Sequence, residues 1–171
     1  MTFNLQDYVP SVLDLADTAL RPLDSRHDLK IAFPVMQQLR PHLTSEADFM
    51  SRIERMRAGG YRLVGAFESS ALVALAGYRL QENLIYGPFL YVDDLITDEA
   101  QRGGQWGSRL LRALERLARA SGCARLVLDT GLANARAQRF YFREGLYTGA
   151  LRFQKQFDTP MTASPVQEAI S

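Results

Sequence analysis

A loop with two adjacent glycines runs directly into a helix, and its composition is suited to binding an anion. The first N–H groups of a helix have no intrahelical partner and carry a partial positive charge, and glycines let the backbone approach an anion closely. Apolar residues at helical spacing predict a helix from about Trp106 to Ser121. The loop before it therefore predicts a diphosphate site at the carboxyl end of a strand. Its residues are Arg102, Gly103, Gly104, Gln105, Trp106, Gly107 and Ser108.

Two common phosphate-binding motifs do not fit this loop. No Gly-Lys-Ser/Thr follows it, so it is not the loop of nucleoside triphosphate-binding proteins. It follows the third strand region instead of opening a βαβ unit, and no acidic residue stands at the spacing expected for ribose binding. A nicotinamide-dependent oxidoreductase is therefore a weak alternative.

The elements around the loop predict an α/β fold with a mixed sheet and helices on both faces. Two strand-like runs flank Ser69 and Ser70 as a hairpin, and a third run, 89–97, precedes the loop. The chain then passes through the helix to the apolar run 124–130, which favours a right-handed crossover and a parallel pairing with 89–97. The other expected elements are helices over 33–41, from Thr44 or Ser45 to Gly59, and over 134–144, and one or two strands within 146–157.

Composition limits the classes of function. The 171 residues are 47% hydrophobic and carry a formal net charge of +1, which predicts one soluble domain without a global field for nucleic acid or an acidic membrane. With one cysteine and two histidines, a His/Cys metal site is not expected and a reducing compartment is favoured. No apolar run approaches the ~20 residues of a membrane span, and the first residues lack the basic start of a secretory signal. We therefore expect a cytoplasmic protein with no metal.

The segment 89–146 resembles the GNAT superfamily of N-acetyltransferases. That family's cofactor loop reads Arg/Gln-x-x-Gly-x-Gly/Ala; here Arg102 and Gly107 match, and Gln105 stands where the family prefers glycine. The stretch NARAQRFYFREGL (134–146) is similar to the family's Asn-x-x-Ala…Phe-Tyr-x-x-x-Gly-Phe motif. Its matching residues are Asn134, Ala137, Phe140, Tyr141 and Gly145, with Leu146 in place of the last Phe.

The resemblance implies a GNAT-like sheet, mostly antiparallel with a central parallel strand pair, and acetyl-CoA as the cofactor. The loop 102–108 would hold the pyrophosphate, Asn134 would contact the cofactor arm, and Tyr141 would protonate the leaving sulfur as general acid. Tyr141 is also a candidate core aromatic, and the two roles are compatible. The residues whose backbone would bond the pantetheine and the thioester oxygen are Leu95, Ile96 and Thr97.

Two adjacent carboxylates, Asp93 and Asp94, are candidates for binding or deprotonating the acceptor amine. They resemble the acidic pair of family members that act on amines. Side chains alternate along a strand, so we expect the two to face opposite sides and at most one to face the substrate. A salt bridge to Arg62, Arg79 or Arg102 is a nearly equal alternative.

The resemblance also divides the chain into expected segments. They are an N-terminal helical extension (1–26), an acetyltransferase domain (27–158) and a flexible tail (159–171). The apolar stripe of the extension is expected to pack on the same chain, with a homodimer contact or a lid as the alternatives. The predicted function is acetyl transfer from acetyl-CoA to an amine of a small molecule or peptide, and the alternative is a non-catalytic acyl-CoA-binding module.

Overall fold

A five-stranded sheet forms the centre of the structure, a computed structural model that describes residues 17–157. The strand order follows the chain, β1-β2-β3-β4-β5, with antiparallel neighbours from β1 to β4 and a parallel pair, β4 and β5, at one end. The predicted mixed sheet with a parallel pair is confirmed, but among the described strands the pair lies at one end of the sheet and not at its centre. The strands are β1 (Leu20–Pro22), β2 (Arg62–Glu68), β3 (Ala71–Asn83), β4 (Gly87–Thr97) and β5 (Arg125–Leu128).

Helices cover both faces of the sheet. On one face, helix α3 (Trp106–Ala120) buries a stripe that includes Leu110, Leu114 and Leu117 against the strands. On the other face, helices α1 (Arg26–Leu39) and α2 (Glu46–Ala58) enclose a second apolar core. Burial of these two stripes, at about 25 cal/mol per Å² of apolar surface, is the main force that fixes the sheet between its helices.

Helix α1 is longer than the sequence predicts, whereas α2 agrees with the prediction. A capping box begins α1: the Ser25 hydroxyl accepts from the Asp28 N–H, and the Asp28 carboxylate accepts from the Ser25 N–H. The helix continues through Pro34, which has no N–H for the helical ladder, and ends at Leu39. Ser45 caps α2, its hydroxyl accepting from the Asp48 N–H.

The N-terminal extension is only partly described. The expected apolar helix falls mostly on residues 1–16, which lie outside the described residues, as does the tail 159–171. Within 17–25 the structure has the short strand β1, which pairs with β2, so the expectation of a helix there is wrong. Leu20 is fully buried in the core beneath α3, and this burial favours the strand.

The described residues divide into two compact units, one up to Leu128 and the other from Asp129 onward. In the second, the described residues 129–157 contain helix α4 (Ala135–Arg143), in agreement with the predicted helix. The strands expected within 146–157 are absent from this described segment. Leu151, Phe153 and Phe157 of this segment are exposed. A strand-like sequence forms a strand only where a neighbouring strand pairs with it.

Candidate active site on strand β4 and its cofactor loop

A β-bulge interrupts β4 at the predicted acidic pair. Gly77 of β3 lies opposite Asp94, while the next residue, Tyr78, lies opposite Val92, so Asp93 is an extra residue without a partner in the ladder. A bulge of this kind redirects a side chain and locally ends the regular pairing.

Asp94 is held on all sides by protein groups. The Tyr61 hydroxyl donates to its Oδ2 at 2.7 Å, and the Arg40 Nε donates to its Oδ1 at 2.9 Å. A second guanidinium nitrogen of Arg40 lies 2.8 Å from the same oxygen, and only 9% of Asp94 is exposed. A buried carboxylate with both oxygens engaged in this way serves the structure.

Asp93 is held less completely. Its Oδ1 lies 3.2 Å from an Arg79 nitrogen, so the predicted salt bridge to Arg79 is present. Its Oδ2 is buried and has no hydrogen-bond partner among the described residues, and neither has the Nε of Arg79. Burial raises the pKa of Asp93 to about 6, with the neighbouring Asp94 adding to the shift and Arg79 opposing it.

The two carboxylates belong to one side-chain cluster, so the expectation that they face opposite sides is wrong. The Arg79 guanidinium that pairs with Asp93 lies 5.6 Å from the centre of the Tyr61 ring, and Tyr61 donates to Asp94. The extra residue of the bulge breaks the strict alternation on which that expectation depended.

Gly77 makes room for this cluster. A Cβ at Gly77 would lie 2.0 Å from the Tyr61 hydroxyl oxygen, so only glycine lets the phenol cross β3 to reach Asp94. Burial, followed by the nearby Asp94, raises the pKa of Tyr61 well above its usual value, which keeps the phenol a hydrogen-bond donor. Sequence reasoning missed Tyr61 and Arg40, since neither belongs to a motif and both are remote from β4 in the chain.

The three residues expected to bond the cofactor follow the bulge directly. Leu95, Ile96 and Thr97 pair with β3 on one edge of β4. The parallel pairing of β4 with β5 ends before them, at Val92. Because the β5 ladder does not extend to this segment, the segment is suited to bonding an extended ligand through its backbone.

The loop before α3 has the backbone of an anion cradle. Gly103 has φ of 95°, and Gln105 itself adopts the left-handed conformation with φ of 60°. Gln105 replaces the glycine of the family's loop motif, but its backbone keeps a conformation that glycine adopts more readily. The first hydrogen bond of the helix runs from the Arg109 N–H to the Gln105 carbonyl, so the N–H groups of 106–108 precede the helical ladder.

Gly104 has a packing role instead. A Cβ there would lie 2.7 Å from the indole nitrogen of Trp106, which is buried under the loop. Ser108 is buried as well, and Gly107 is half-buried. The loop thus combines an exposed stretch, Gly103–Gln105, with a packed helix start.

A cavity of about 480 Å³ lies beside the loop. Gly103, Gly104 and Gln105 form one side of it, and arginines of α3 form the other. Arg102 is not among the residues that line it; its guanidinium lies 3.3 Å from the Glu99 carboxylate, within the 3-10 turn region that follows β4. The positive groups at the cavity are Arg109, Arg112 and Arg116, and Asp17 completes the lining.

The second unit contains the other two predicted site residues. Asn134 caps α4, its side-chain oxygen accepting from the Ala137 N–H at 3.0 Å. Tyr141 is half-buried beside Phe140, with ring centres 5.4 Å apart. Burial raises the pKa of Tyr141, so its hydroxyl keeps its proton at neutral pH.

Two kinds of feature are absent from the described residues. Within 17–157, no three His, Cys, Asp or Glu side chains gather in a group that could hold a metal ion. No helix in the same range is both long and apolar enough to cross a membrane.

Comparison with known proteins identifies the family. An acetyltransferase (GNAT) family model matches residues 26–145, more than two thirds of the chain. An uncharacterized N-acetyltransferase of Bacillus subtilis (strain 168) is 29% identical over 123 residues, which cover 71% of this chain and 86% of that protein. Glucosamine 6-phosphate N-acetyltransferase 1 of Oryza sativa subsp. japonica is 33% identical over 118 residues, covering 64% of this chain and 71% of the relative.

A solved structure shows the same fold. It is the aminoglycoside N-acetyltransferase AAC(6')-Iy in complex with CoA, with a TM-score of 0.70 at 15% identity over 80% of this chain and 93% of that one. The predicted resemblance is confirmed by the family match and by the fold: the chain belongs to the GNAT family and is an N-acetyltransferase.

Proposed function

We propose that this enzyme transfers the acetyl group of acetyl-CoA to the amine of a small molecule, with Asp93 as the base and Tyr141 as the acid. The observation that carries the proposal is the state of Asp93, a carboxylate in a bulge with a raised pKa and one buried, unpartnered oxygen. A carboxyl group whose pKa lies near neutrality suits proton transfer better than one with an ordinary pKa.

Between the two candidate carboxylates, the contacts favour Asp93. Both oxygens of Asp94 already accept hydrogen bonds from Tyr61 and Arg40, so Asp94 holds the bulge in place. A buried acceptor without a partner, such as Oδ2 of Asp93, is where an amine N–H or a bridging water gains most from binding.

Acetyl-CoA binding follows from the two backbone features beside the bulge. The segment 95–97 would bond the pantetheine and the thioester oxygen, and the loop 102–108 would receive the pyrophosphate at the start of α3. Asn134 would contact the cofactor arm. The solved relative with CoA in the same fold supports this choice of cofactor.

The reaction needs two proton transfers. The amine nitrogen, neutral after Asp93 accepts its proton directly or through a water, attacks the thioester carbonyl, and the carbon–sulfur bond breaks. The departing sulfur takes its proton from the Tyr141 hydroxyl. The raised pKa of Tyr141 keeps that proton available until negative charge develops on sulfur.

The acceptor class is supported by chemistry and by relatives. A carboxylate attracts an ammonium group, and the rice relative is named for a small amino sugar phosphate. A peptide amine stays the alternative. The cytoplasmic location, a homodimer and the absence of a nucleic-acid partner remain predictions from the sequence.

The decisive experiment measures CoA release from acetyl-CoA across a panel of small amines, then compares Asp93→Asn with the wild type. We expect kcat/KM to fall at least about tenfold, ~1.4 kcal/mol of transition-state stabilisation. The melting temperature at neutral pH should not fall, because burial disfavours the ionised carboxylate that the variant removes. Tyr141→Phe should lower kcat with little change in the Kd for acetyl-CoA.

Two results would contradict the proposal. An unchanged kcat/KM in Asp93→Asn would show that Asp93 is not the base. Tight acetyl-CoA binding with no thioester consumption by any amine would instead favour the acyl-CoA-binding module.

A further inference from the structure

Arg79 of β3 contacts the side chain of Asp93 directly. In the ladder between β3 and β4 it pairs with Tyr91, two positions before Asp93. A long side chain can reach such a diagonal neighbour on the adjacent strand. A terminal guanidinium nitrogen of Arg79 lies 3.2 Å from Oδ1 of Asp93. Arg79 therefore binds one oxygen of the carboxylate, and Oδ2 has no partner among the described residues.

An aromatic ring holds the same guanidinium from a second side. The central carbon of the Arg79 guanidinium lies 5.6 Å from the centre of the Tyr61 ring, within the range of a cation–π contact. Tyr61 is buried, and its hydroxyl is fixed by the hydrogen bond to Asp94. Only 26% of the Arg79 side chain is exposed. The guanidinium is therefore confined between the ring and the carboxylate that it binds.

Arg40 secures a different part of the bulge. One of its terminal nitrogens donates to the backbone carbonyl of Asp93 at 3.1 Å, and its Nε donates to the carboxylate of Asp94. Arg40 therefore fixes the main chain at the bulge, whereas Arg79 fixes the carboxylate of Asp93.

Four charged or titratable groups act on this carboxylate. They are Arg79 on β3, Arg40 directly after α1, Tyr61 directly before β2, and Asp94 on the same strand. Burial raises the pKa of Asp93 to about 6, and among these groups Arg79 opposes the rise most strongly. Loss of the Arg79 charge should therefore move the titration of Asp93 to higher pH.

We propose that Arg79 is a positioning residue for the base: its guanidinium holds Oδ1 of Asp93 and thereby presents Oδ2 to the acceptor amine. This inference rests on the proposed function, because it takes Asp93 as the base. Binding through one oxygen fixes the orientation of the carboxylate, and a fixed orientation favours proton transfer at the other oxygen. Arg79 acts only through Asp93.

The test compares two pH profiles of the full chain in the wild type, Arg79→Gln and Arg79→Lys. The first profile is that of kcat/KM for an amine that the panel of small amines identifies as an acceptor. The second is the NMR titration of the Asp93 carboxyl carbon in protein labelled with 13C-aspartate, assigned by the signal that Asp93→Asn loses. This titration measures Asp93 without acetyl transfer. If Arg79→Gln does not fold, Arg79→Met, which is apolar and unbranched, takes its place.

Arg21→Gln is the matched control, because Arg21 makes the same two kinds of contact elsewhere in the sheet. It lies 2.7 Å from the carboxylate of Asp28, and its guanidinium carbon lies 4.2 Å from the centre of the Phe67 ring. Two strands separate β1, which contains Arg21, from β4.

In the wild type and the control, both profiles should have a midpoint close to pH 6. Arg79→Gln should raise both midpoints by about one unit, the lower end of the effect of an adjacent arginine on an aspartate. Its plateau of kcat/KM at high pH should also fall, by less than about tenfold, because the carboxylate loses its fixed orientation. Arg79→Lys keeps a positive charge and should return both midpoints to within about 0.5 unit of the wild type.

Three results would overturn the inference. Unchanged midpoints in Arg79→Gln, while Asp93→Asn still lowers kcat/KM, overturn it alone and leave the proposed function intact. A fall of kcat/KM by the same factor at every pH shows that Arg79 serves only the fold. An NMR midpoint that rises while the kinetic midpoint stays in place shows that Asp93 is not the base, so the proposed function and the inference fail together.

Discussion

The carboxylate cluster on β4 and the arginine-lined cavity beside α3 use charge in opposite ways. Asp93 and Asp94 lie in a packed, largely buried environment. Arg40 and Tyr61 bind Asp94, Arg79 pairs with Asp93, and the pKa of Asp93 is raised to about 6. The cavity lies at the surface, where Arg112 and Arg116 are exposed and water screens them. In the proposed function, proton transfer at Asp93 therefore depends on burial, whereas binding of an anionic cofactor depends on exposed positive charge.

The largest expected effect is on stability, at the buried end of this comparison. Asp94→Asn removes a charge that Arg40 and Tyr61 surround, and we expect the free energy of unfolding to fall by about 3 kcal/mol, or the melting temperature by roughly 6–12 °C. Asp48→Asn is the matched control, since it breaks an ion pair with Arg52 on the surface of α2 and should cost under about 1 kcal/mol. Equal effects of the two variants in thermal denaturation would contradict the structural role of Asp94.

The raised pKa of Asp93 predicts a pH dependence of stability. The folded state holds this proton up to about pH 6, whereas the unfolded chain releases it near the ordinary value of 3.8. The stabilisation is therefore full below pH 4 and is lost as the pH rises to 6, by up to about 3 kcal/mol.

Denaturant titrations of the wild type and Asp93→Asn from pH 4 to pH 7 measure this contribution as a difference. The variant should lose less stability over this range than the wild type. Parallel curves for the two proteins would show that Asp93 titrates normally.

Added salt should affect the arginine-lined cavity more strongly than the buried carboxylate cluster. We expect the Kd for CoA to rise about tenfold between 50 mM and 300 mM salt, because the arginines of the cavity are exposed. The pH midpoint of kcat/KM that reports Asp93 should hardly move over the same range, since buried charges are screened less. A midpoint that shifts along with the Kd would mean that Asp93 is as exposed as the arginines.

The smallest effect concerns the loop backbone. Gln105→Gly removes a side chain from a left-handed position, where strain of about 1–2 kcal/mol is relieved but the unfolded chain gains about 0.4–1 kcal/mol of entropy. The expected gain in stability is under about 1 kcal/mol, with CoA affinity within threefold of the wild type. Gly103→Ala, at φ of 95°, should instead weaken CoA binding, and the two variants are compared by calorimetry.

The sequence was sufficient for the fold wherever a local pattern and its partners lay close together. The hairpin of β2 and β3, the parallel pair and the amphipathic α3 were all predicted from periodicity and turn residues. The strands expected within 146–157 are absent from that described segment, because a strand-like sequence expresses a preference and does not supply a neighbouring strand.

The candidate site was predictable in its motifs and not in its supporting contacts. The loop and the acidic pair stand in the sequence as recognisable patterns. The bulge at Asp93 does not, since it depends on the register between β3 and β4, and this register put both carboxylates in one cluster. Asp17 was missed for a similar reason, because its partner Arg109 lies 92 positions later in the chain.

The shortness of β1 bears on how the protein behaves when it is concentrated. An edge strand with free N–H and C=O groups is a template on which other chains can add, and this is a common route to aggregation. β1 spans three residues, and the last of them, Pro22, has no N–H to offer. The β1 edge of the sheet is therefore a poor template for another strand, and β2 behind it is covered over the length that β1 pairs.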